Sequence, residues 1–173
     1  PANAITKFVD DLSNWYVRRG RERFWGKGMD DTKEAAFVTL YTVLTTLSKV
    51  IAPFVPFMAE DLYQNLVCTV DKNAPESVHL CRFPEADESL IDENLNTQMS
   101  ALLEVVSLGR ALRASANLKV RQPLQTLYVK GTSFDEQFGE LAKDELNVKA
   151  VVFTDDARAF TTYLLKPQMR TLG

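Results

Sequence analysis

One histidine and two cysteines are all that the 173-residue chain offers as soft metal ligands. Zinc takes four protein ligands in a structural site and three in a catalytic one. Cys68, Cys81 and His79 could hold it only by recruiting carboxylates, so no metal site is expected. Spacing alone leaves a disulfide between the two cysteines open, but reduced thiols in a cytoplasmic protein fit so sparse a cysteine content better. The chain also lacks a glycine-rich phosphate loop and any Ser/His/Asp order of a hydrolase. The acidic pairs Asp30–Asp31 and Glu60–Asp61 fall at expected helix starts, where negative charge offsets the helix dipole, so capping accounts for them without acid–base chemistry. No catalytic residue is therefore assigned. No apolar run reaches the roughly 18–20 residues of a membrane helix. The longest, Leu40 to Met58, is interrupted by threonines, Lys49, Pro53 and Pro56, and Pro1 to Asp10 has no signal-peptide core. No membrane partner is expected.

Apolar residues make up 46% of the chain and charged residues 25%, enough for a buried core and too ordered a mixture for a disordered segment. The net charge of −3 argues against a generally basic nucleic-acid binder, but it hides a segregation. Residues 1–27 carry six basic against three acidic groups, and residues 101–131 carry five against one. Residues 28–100 carry four against twelve, and residues 132–173 five against seven. Two basic islands in an acidic chain suit a local anionic partner; solvated helix faces are the alternative.

The hydrophobic pattern is helical for most of the chain. Ile5, Phe8, Val9, Leu12, Trp15 and Tyr16 follow the i, i+3, i+4, i+7 spacing, which predicts one helix from Asn3 to Trp25 that ends at Gly26 and Gly28. Asp30 or Asp31 caps a second helix over Thr32 to Val50. Pro53 and Pro56 break it, and Pro56 opens a third helix over Phe57 to Val67. A connection follows, extended over Ser77 to Phe83, and then a fourth helix from Asp92 to Ser115. After Asn117 the pattern changes: strands over Leu124 to Lys130 and Val148 to Thr154, a helix over Phe134 to Leu146 between them, and a further strand over Phe160 to Lys166. The expected fold is mainly α: a helical bundle over residues 1–117 and a small α+β subdomain over 118–173, with all strands after Asn117.

The first basic island lies on the first helix. At about 100° per residue with Ile5 at zero, the apolar residues cluster between about 280° and about 40°. Arg19 and Arg23 fall inside that stripe, at about 320° and about 0°, and are expected to be structural, paired with carboxylates. Asn14, Arg18, Arg21 and Trp25 fall on the opposite face, between about 160° and about 220°. Two guanidinium groups, an amide and an indole are the groups that stack on unpaired RNA bases and bond their edges. A solvated face for Arg18 and Arg21, and a core anchor for Trp25, remain the plain alternatives. The second island is Arg110, Arg113, Lys119 and Arg121. Arg110 and Arg113 share a helix face at i, i+3, and Lys119 and Arg121 flank Val120 as alternate residues of an extended strand do. Phosphate contact and solvent-facing charge are both open for this set.

The run LSNWYVRRGRERFWG (Leu12–Gly26) resembles the anticodon-binding domain of isoleucyl-tRNA synthetases, and within them the eukaryote-like type that some bacteria carry. LSKVIAPFVPFMAEDLYQNL (Leu47–Leu66) resembles the proline-kinked helix pair shared by the class I synthetases for isoleucine, valine, leucine and methionine. SVHLCRFP, ASANLKVRQPLQTLYV, DELNVKAVVF and LKPQMRTLG follow in the order of the isoleucyl type, so the similarity spans essentially the whole chain. It implies an RNA-reading region that docks the anticodon stem-loop of isoleucine tRNA, with Trp25 near the position where methionyl relatives stack a tryptophan on the anticodon. It further implies that ATP, Mg²⁺ and the joining of isoleucine to tRNA belong to catalytic and editing domains elsewhere in the full-length protein. By the same resemblance the bundle's first helix precedes Pro1 and the C-terminal module runs past Gly173. Gly20 departs from the family, where serine is common; it either loosens the helix or permits a close backbone approach. The equivalent domain of a valyl or leucyl enzyme, and a helical interaction module that binds no RNA, are the competing readings.

Overall fold

The computed structural model describes residues 2–131 and 134–156, which divide into two compact units between Asp87 and Glu88. The strand expected over Phe160 to Lys166 and the motif at Leu165–Gly173 lie outside the described residues.

The first unit is helical. Helix α1 (Ala2–Asp11) runs into a π-helical stretch at Leu12–Val17, a turn at Gly20, and the short α2 (Arg21–Trp25). The single helix expected over Asn3 to Trp25 is therefore interrupted. Helix α3 (Asp31–Ile51) starts where Asp30 accepts from the Lys33 amide at 2.8 Å and from the Thr32 hydroxyl at 2.7 Å. It ends ahead of Pro53, where the amides of Phe54 and Val55 both donate to the Ile51 carbonyl. Helix α4 (Pro56–Tyr63) opens on Pro56 and passes into a second π-helical stretch at Gln64–Cys68. The segment expected to be extended over Ser77 to Phe83 instead contains a short 3-10 turn, Val78–Leu80, which Ser77 caps by accepting from the His79 amide.

The core of this unit gathers Ile51, Ala52, Ala59, Tyr63 and Val78, with Ile5, Leu47, Val67, Cys68 and Cys81 packed against it. Ser48, Ala52 and Ala59 are small and buried, which lets α3 and α4 approach closely. The Tyr63 hydroxyl donates to the Pro75 carbonyl at 3.1 Å, and burial pushes its titration well above the usual tyrosine range. Cys68 and Cys81 are free thiols. Helix α3 is also long and apolar enough by composition to cross a membrane, against the expectation that no run qualifies. The hydroxyls of Thr39, Thr42 and Thr45 donate to carbonyls of their own helix, so the threonines interrupt the apolar character less than their polarity suggests. Both prolines fall beyond the helix end.

The second unit is a β–α–β arrangement carried on a long helix. Helix α5 (Glu93–Ser115) is capped by Asp92. Strand β1 (Leu124–Lys130) pairs in parallel with β2 (Val148–Thr154), in register from Leu124↔Val148 to Lys130↔Thr154. Helix α6 (Glu136–Leu146) makes the crossover that a parallel pair requires. Helix α5 packs on α6, so the expected boundary at 117/118 falls inside this unit. Leu102, Val106, Phe138, Ala142, Leu146 and Val148 form its buried core. Gln98 and Asp135 exchange two hydrogen bonds, at 2.9 and 2.8 Å, across the starts of the two helices.

Two tests follow from this packing. A Cβ on Gly109 would stand 2.5 Å from Leu146 Cδ1, so Gly109→Ala trades a helix-propensity gain of about 1 kcal/mol against overpacking of about 1–3 kcal/mol. Net destabilisation is expected, and a double-mutant cycle with Leu146→Ala should show coupling of about 0.5–3 kcal/mol in denaturant unfolding; simple additivity would contradict the contact. Glu60 accepts from Gln64, from the Ser77 hydroxyl and from the Val78 amide. These bonds, led by Gln64, hold its carboxyl below its ordinary value of 4.5. Its contribution to stability is therefore complete above that value and is lost as pH falls through the lower folded one. Glu60→Gln should flatten the acid limb of a plot of melting temperature against pH, and an unchanged limb would contradict it.

Candidate nucleic-acid interface

Each basic island lies in one unit. In the first, the π-helical stretch at Leu12–Val17 sets the geometry. A π turn acts as a one-residue insertion, which rotates everything beyond it by about 100° relative to an unbroken helix. On the wheel used above, Gly20 and Phe24 then move to about 320° and about 0°, into the apolar stripe, and Arg23 moves out to about 260°. The structure agrees: Gly20 and Phe24 are buried and Arg23 is exposed. Arg23 is thus not the buried structural arginine that the unbroken wheel predicts, whereas Arg19 is half-buried and engaged by its neighbours.

Phe24 is the hub of this end of the unit. Its ring meets Tyr16, Phe37 and Trp25 edge-on, at centroid distances of 6.0, 5.2 and 6.1 Å. The Tyr16 hydroxyl donates to the Ala36 carbonyl of α3 at 3.1 Å. Gly20 has an ordinary φ of −74°, so its backbone needs no special freedom. A Cβ there would lie 2.8 Å from the Tyr16 carbonyl oxygen and 2.9 Å from the Phe24 ring, so glycine permits the close approach seen here. Beyond α2, Lys33 donates to the carbonyls of Gly26 and Gly28 at 2.7 and 3.0 Å, which fastens the loop after Trp25 to the start of α3.

All four residues expected on the RNA face are exposed. They come together in two pairs. Trp25 is 70% exposed, with the Arg21 guanidinium 5.9 Å from its ring centroid. Arg18 Nε donates to the Asn14 carbonyl at 2.8 Å. Lys27, exposed on the loop two residues past Trp25, extends the basic surface; the local charge excess contained it, but helical spacing could not, because it lies beyond the helix.

The second island divides. Arg113 is only 4% exposed. Its guanidinium donates to the carbonyls of Lys119 and Gln122, each at 3.0 Å, of Leu146 at 2.6 Å and of Asn147 at 3.2 Å. This corrects the expectation of a phosphate contact: the group is buried and both its Nη atoms are engaged by backbone carbonyls. Arg110, 48% exposed at its side chain, pairs with the buried carboxylate of Glu145. Lys119 and Arg121 are exposed, but they sit on a tight turn closed by the Gln122 amide donating to the Lys119 carbonyl at 2.9 Å, not on an extended strand. Among the described residues no group of three or more His, Cys, Asp or Glu gathers to hold a metal.

Comparison with known proteins matches residues 1–128 to the family model described as the anticodon-binding domain of tRNA ligase. The isoleucine–tRNA ligase of Clostridium acetobutylicum is 50% identical over 169 residues, covering 98% of the chain and 16% of that relative. That of Clostridium novyi is 51% identical over the same length and coverage. That of Chlamydia trachomatis serovar L2 is 47% identical over 175 residues, 99% of the chain and 17% of the relative. The chain thus spans about a sixth of the length of these curated relatives.

Adjacent aromatic residues give a test of the helix faces. Phe24→Ala should cost about 3–5 kcal/mol of unfolding free energy, as a buried ring does, whereas Trp25→Ala should stay within about 0.5 kcal/mol. Comparable losses in denaturant unfolding would place Trp25 in the core.

Proposed function

Because the chain belongs to the anticodon-binding domains of tRNA ligases, we propose that it selects isoleucine tRNA by its anticodon stem-loop, within a protein that joins isoleucine to that tRNA. The single observation that carries this reading is Trp25: a large indole, exposed, beside the Arg21 guanidinium and backed by the buried Phe24 ring. An exposed tryptophan held at its edge and free of the core is a stacking platform for an unpaired base. Arg18 and Asn14 supply further polar groups on the same basic segment, and Lys27 adds charge. In the second unit, Lys119 and Arg121 supply phosphate contacts, with Arg110 contributing through a charge already shared with Glu145. Arg19 and Arg113 act within the fold.

The ligation itself, with its ATP and Mg²⁺, falls to parts of the full-length protein beyond this chain, as do the editing reaction and the domains this region packs against. Translation takes place in the cytoplasm, and the two free cysteines suit that compartment.

Equilibrium binding of tRNA transcripts to the native polypeptide that carries this chain tests the assignment. Trp25→Ala should weaken isoleucine tRNA by about 1–3 kcal/mol and narrow its preference over a transcript with an altered anticodon. Lys119→Ala should weaken all transcripts alike and make the salt slope shallower by about 0.7–0.9. If Trp25→Ala leaves both affinity and anticodon preference unchanged, the stacking role is wrong.

A further inference from the structure

The turn at Lys119–Gln122 is held by a side-chain donor at every carbonyl. Arg113 donates to the first and last, Lys119 and Gln122. Asn147 Nδ2 donates to the two between them, Val120 at 3.1 Å and Arg121 at 3.0 Å. Both anchors belong to the same corner of the second unit. Asn147 ends α6 in the left-handed conformation, φ 50°, and the remaining donors of Arg113 reach the Leu146 and Asn147 carbonyls at that helix end. Burying a guanidinium costs free energy unless its donors are satisfied. Here the partners are carbonyl dipoles, so the positive charge of Arg113 is solvated but not neutralised.

Two consequences follow for the outer surface of the turn. Four carbonyl oxygens, the groups that would repel an anion, are already engaged by the Arg113 and Asn147 side chains. Lys119 and Arg121 then extend from a backbone that is fixed before any ligand arrives, with a third positive charge beneath them. Preorganisation of this kind lowers the ordering cost of binding.

We infer that Arg113 is a positioning residue for RNA binding: together with Asn147 it sets the Lys119–Gln122 turn so that Lys119 and Arg121 meet successive phosphates of the tRNA backbone. The inference rests on the tRNA-binding reading above and adds to it the device that makes this contact. Arg113 itself touches no RNA.

The test uses isoleucine tRNA transcript and the native polypeptide that carries this chain, with affinity measured between about 50 and 200 mM salt and thermal melts alongside. The double variant Lys119→Ala/Arg121→Ala removes the contacts and should make the salt slope shallower by about 1.4–1.8, the share of two phosphates. Arg113→Lys retains the charge but cannot span four carbonyls. Asn147→Gly keeps the left-handed backbone and removes only the amide, so it guards against a folding defect in the first. Both should move the salt slope toward that of the double variant although Lys119 and Arg121 are still present, and Asn147→Gly should do so at a near-native melting temperature. A merely structural role would lower the melting temperature and leave the slope unchanged. If the double variant loses slope while Arg113→Lys and Asn147→Gly keep it, the positioning role is overturned and the tRNA contact stands. If the double variant itself keeps the native slope, the turn does not bind RNA, and both the contact and the positioning role are overturned.

Discussion

The one-residue slip at Leu12–Val17 governs the first unit. Without it Phe24 would face solvent and Arg23 would face α3. With it, Tyr16, Gly20 and Phe24 form a continuous inward row, and the Phe24 ring lies close against Gly20. The rest of that end of the unit depends on this ring. Phe37 packs against it, Trp25 meets it edge-on, and Lys33 fastens the loop that follows. A π turn lengthens the hydrogen-bond ring by a residue, a local loss that burial of an aromatic side chain can offset, since such a side chain contributes about 1.5–3 kcal/mol on burial.

The second unit solves a different problem. A parallel strand pair needs a long crossover, and the end of that crossover leaves helix carbonyls without intrahelical partners. Helix α6 supplies the crossover, and Arg113 supplies the partners. Projecting from α5, it satisfies the carbonyls where α6 gives way to β2 and those of the turn that leads into β1. Gly109, one helical turn earlier, provides the space for Leu146, so the side chain and the carbonyl of that residue are both seated on α5. This explains why α5 belongs with the strands and not with the helices that precede it.

Much of the architecture was legible in the residues themselves. An acidic cap at Asp30 or Asp31 announces α3, α5 starts at Asp92, Pro56 opens α4, alternation marks β1 and a β-branched run marks β2. These signals are local: a cap needs only the next three amides, and a proline breaks a helix whatever surrounds it. The exposure of Asn14, Arg18, Arg21 and Trp25 was legible too, because an amphipathic segment separates polar from apolar groups over a wide arc, and the slip left these four outside it. Arg23 was misplaced because a helical wheel assumes an unbroken register, and no residue type in Leu12–Val17 announces a π turn.

The family was legible from the order of motifs along the chain, and the basic charge of the two islands from simple counting. What each positive charge does was decided by tertiary structure alone. Arg110 and Arg113 stand three residues apart on one helix and look alike in sequence, yet one is half in solvent beside Glu145 and the other is enclosed by four carbonyls. Those carbonyls come from residues that are between six and thirty-four positions away. Lys119 and Arg121 likewise follow from a turn whose fasteners, Arg113 and Asn147, lie on other elements. A side chain's partners set its role, and partners distant in sequence are brought within hydrogen-bonding reach only by the packing of α5, α6 and the strand pair.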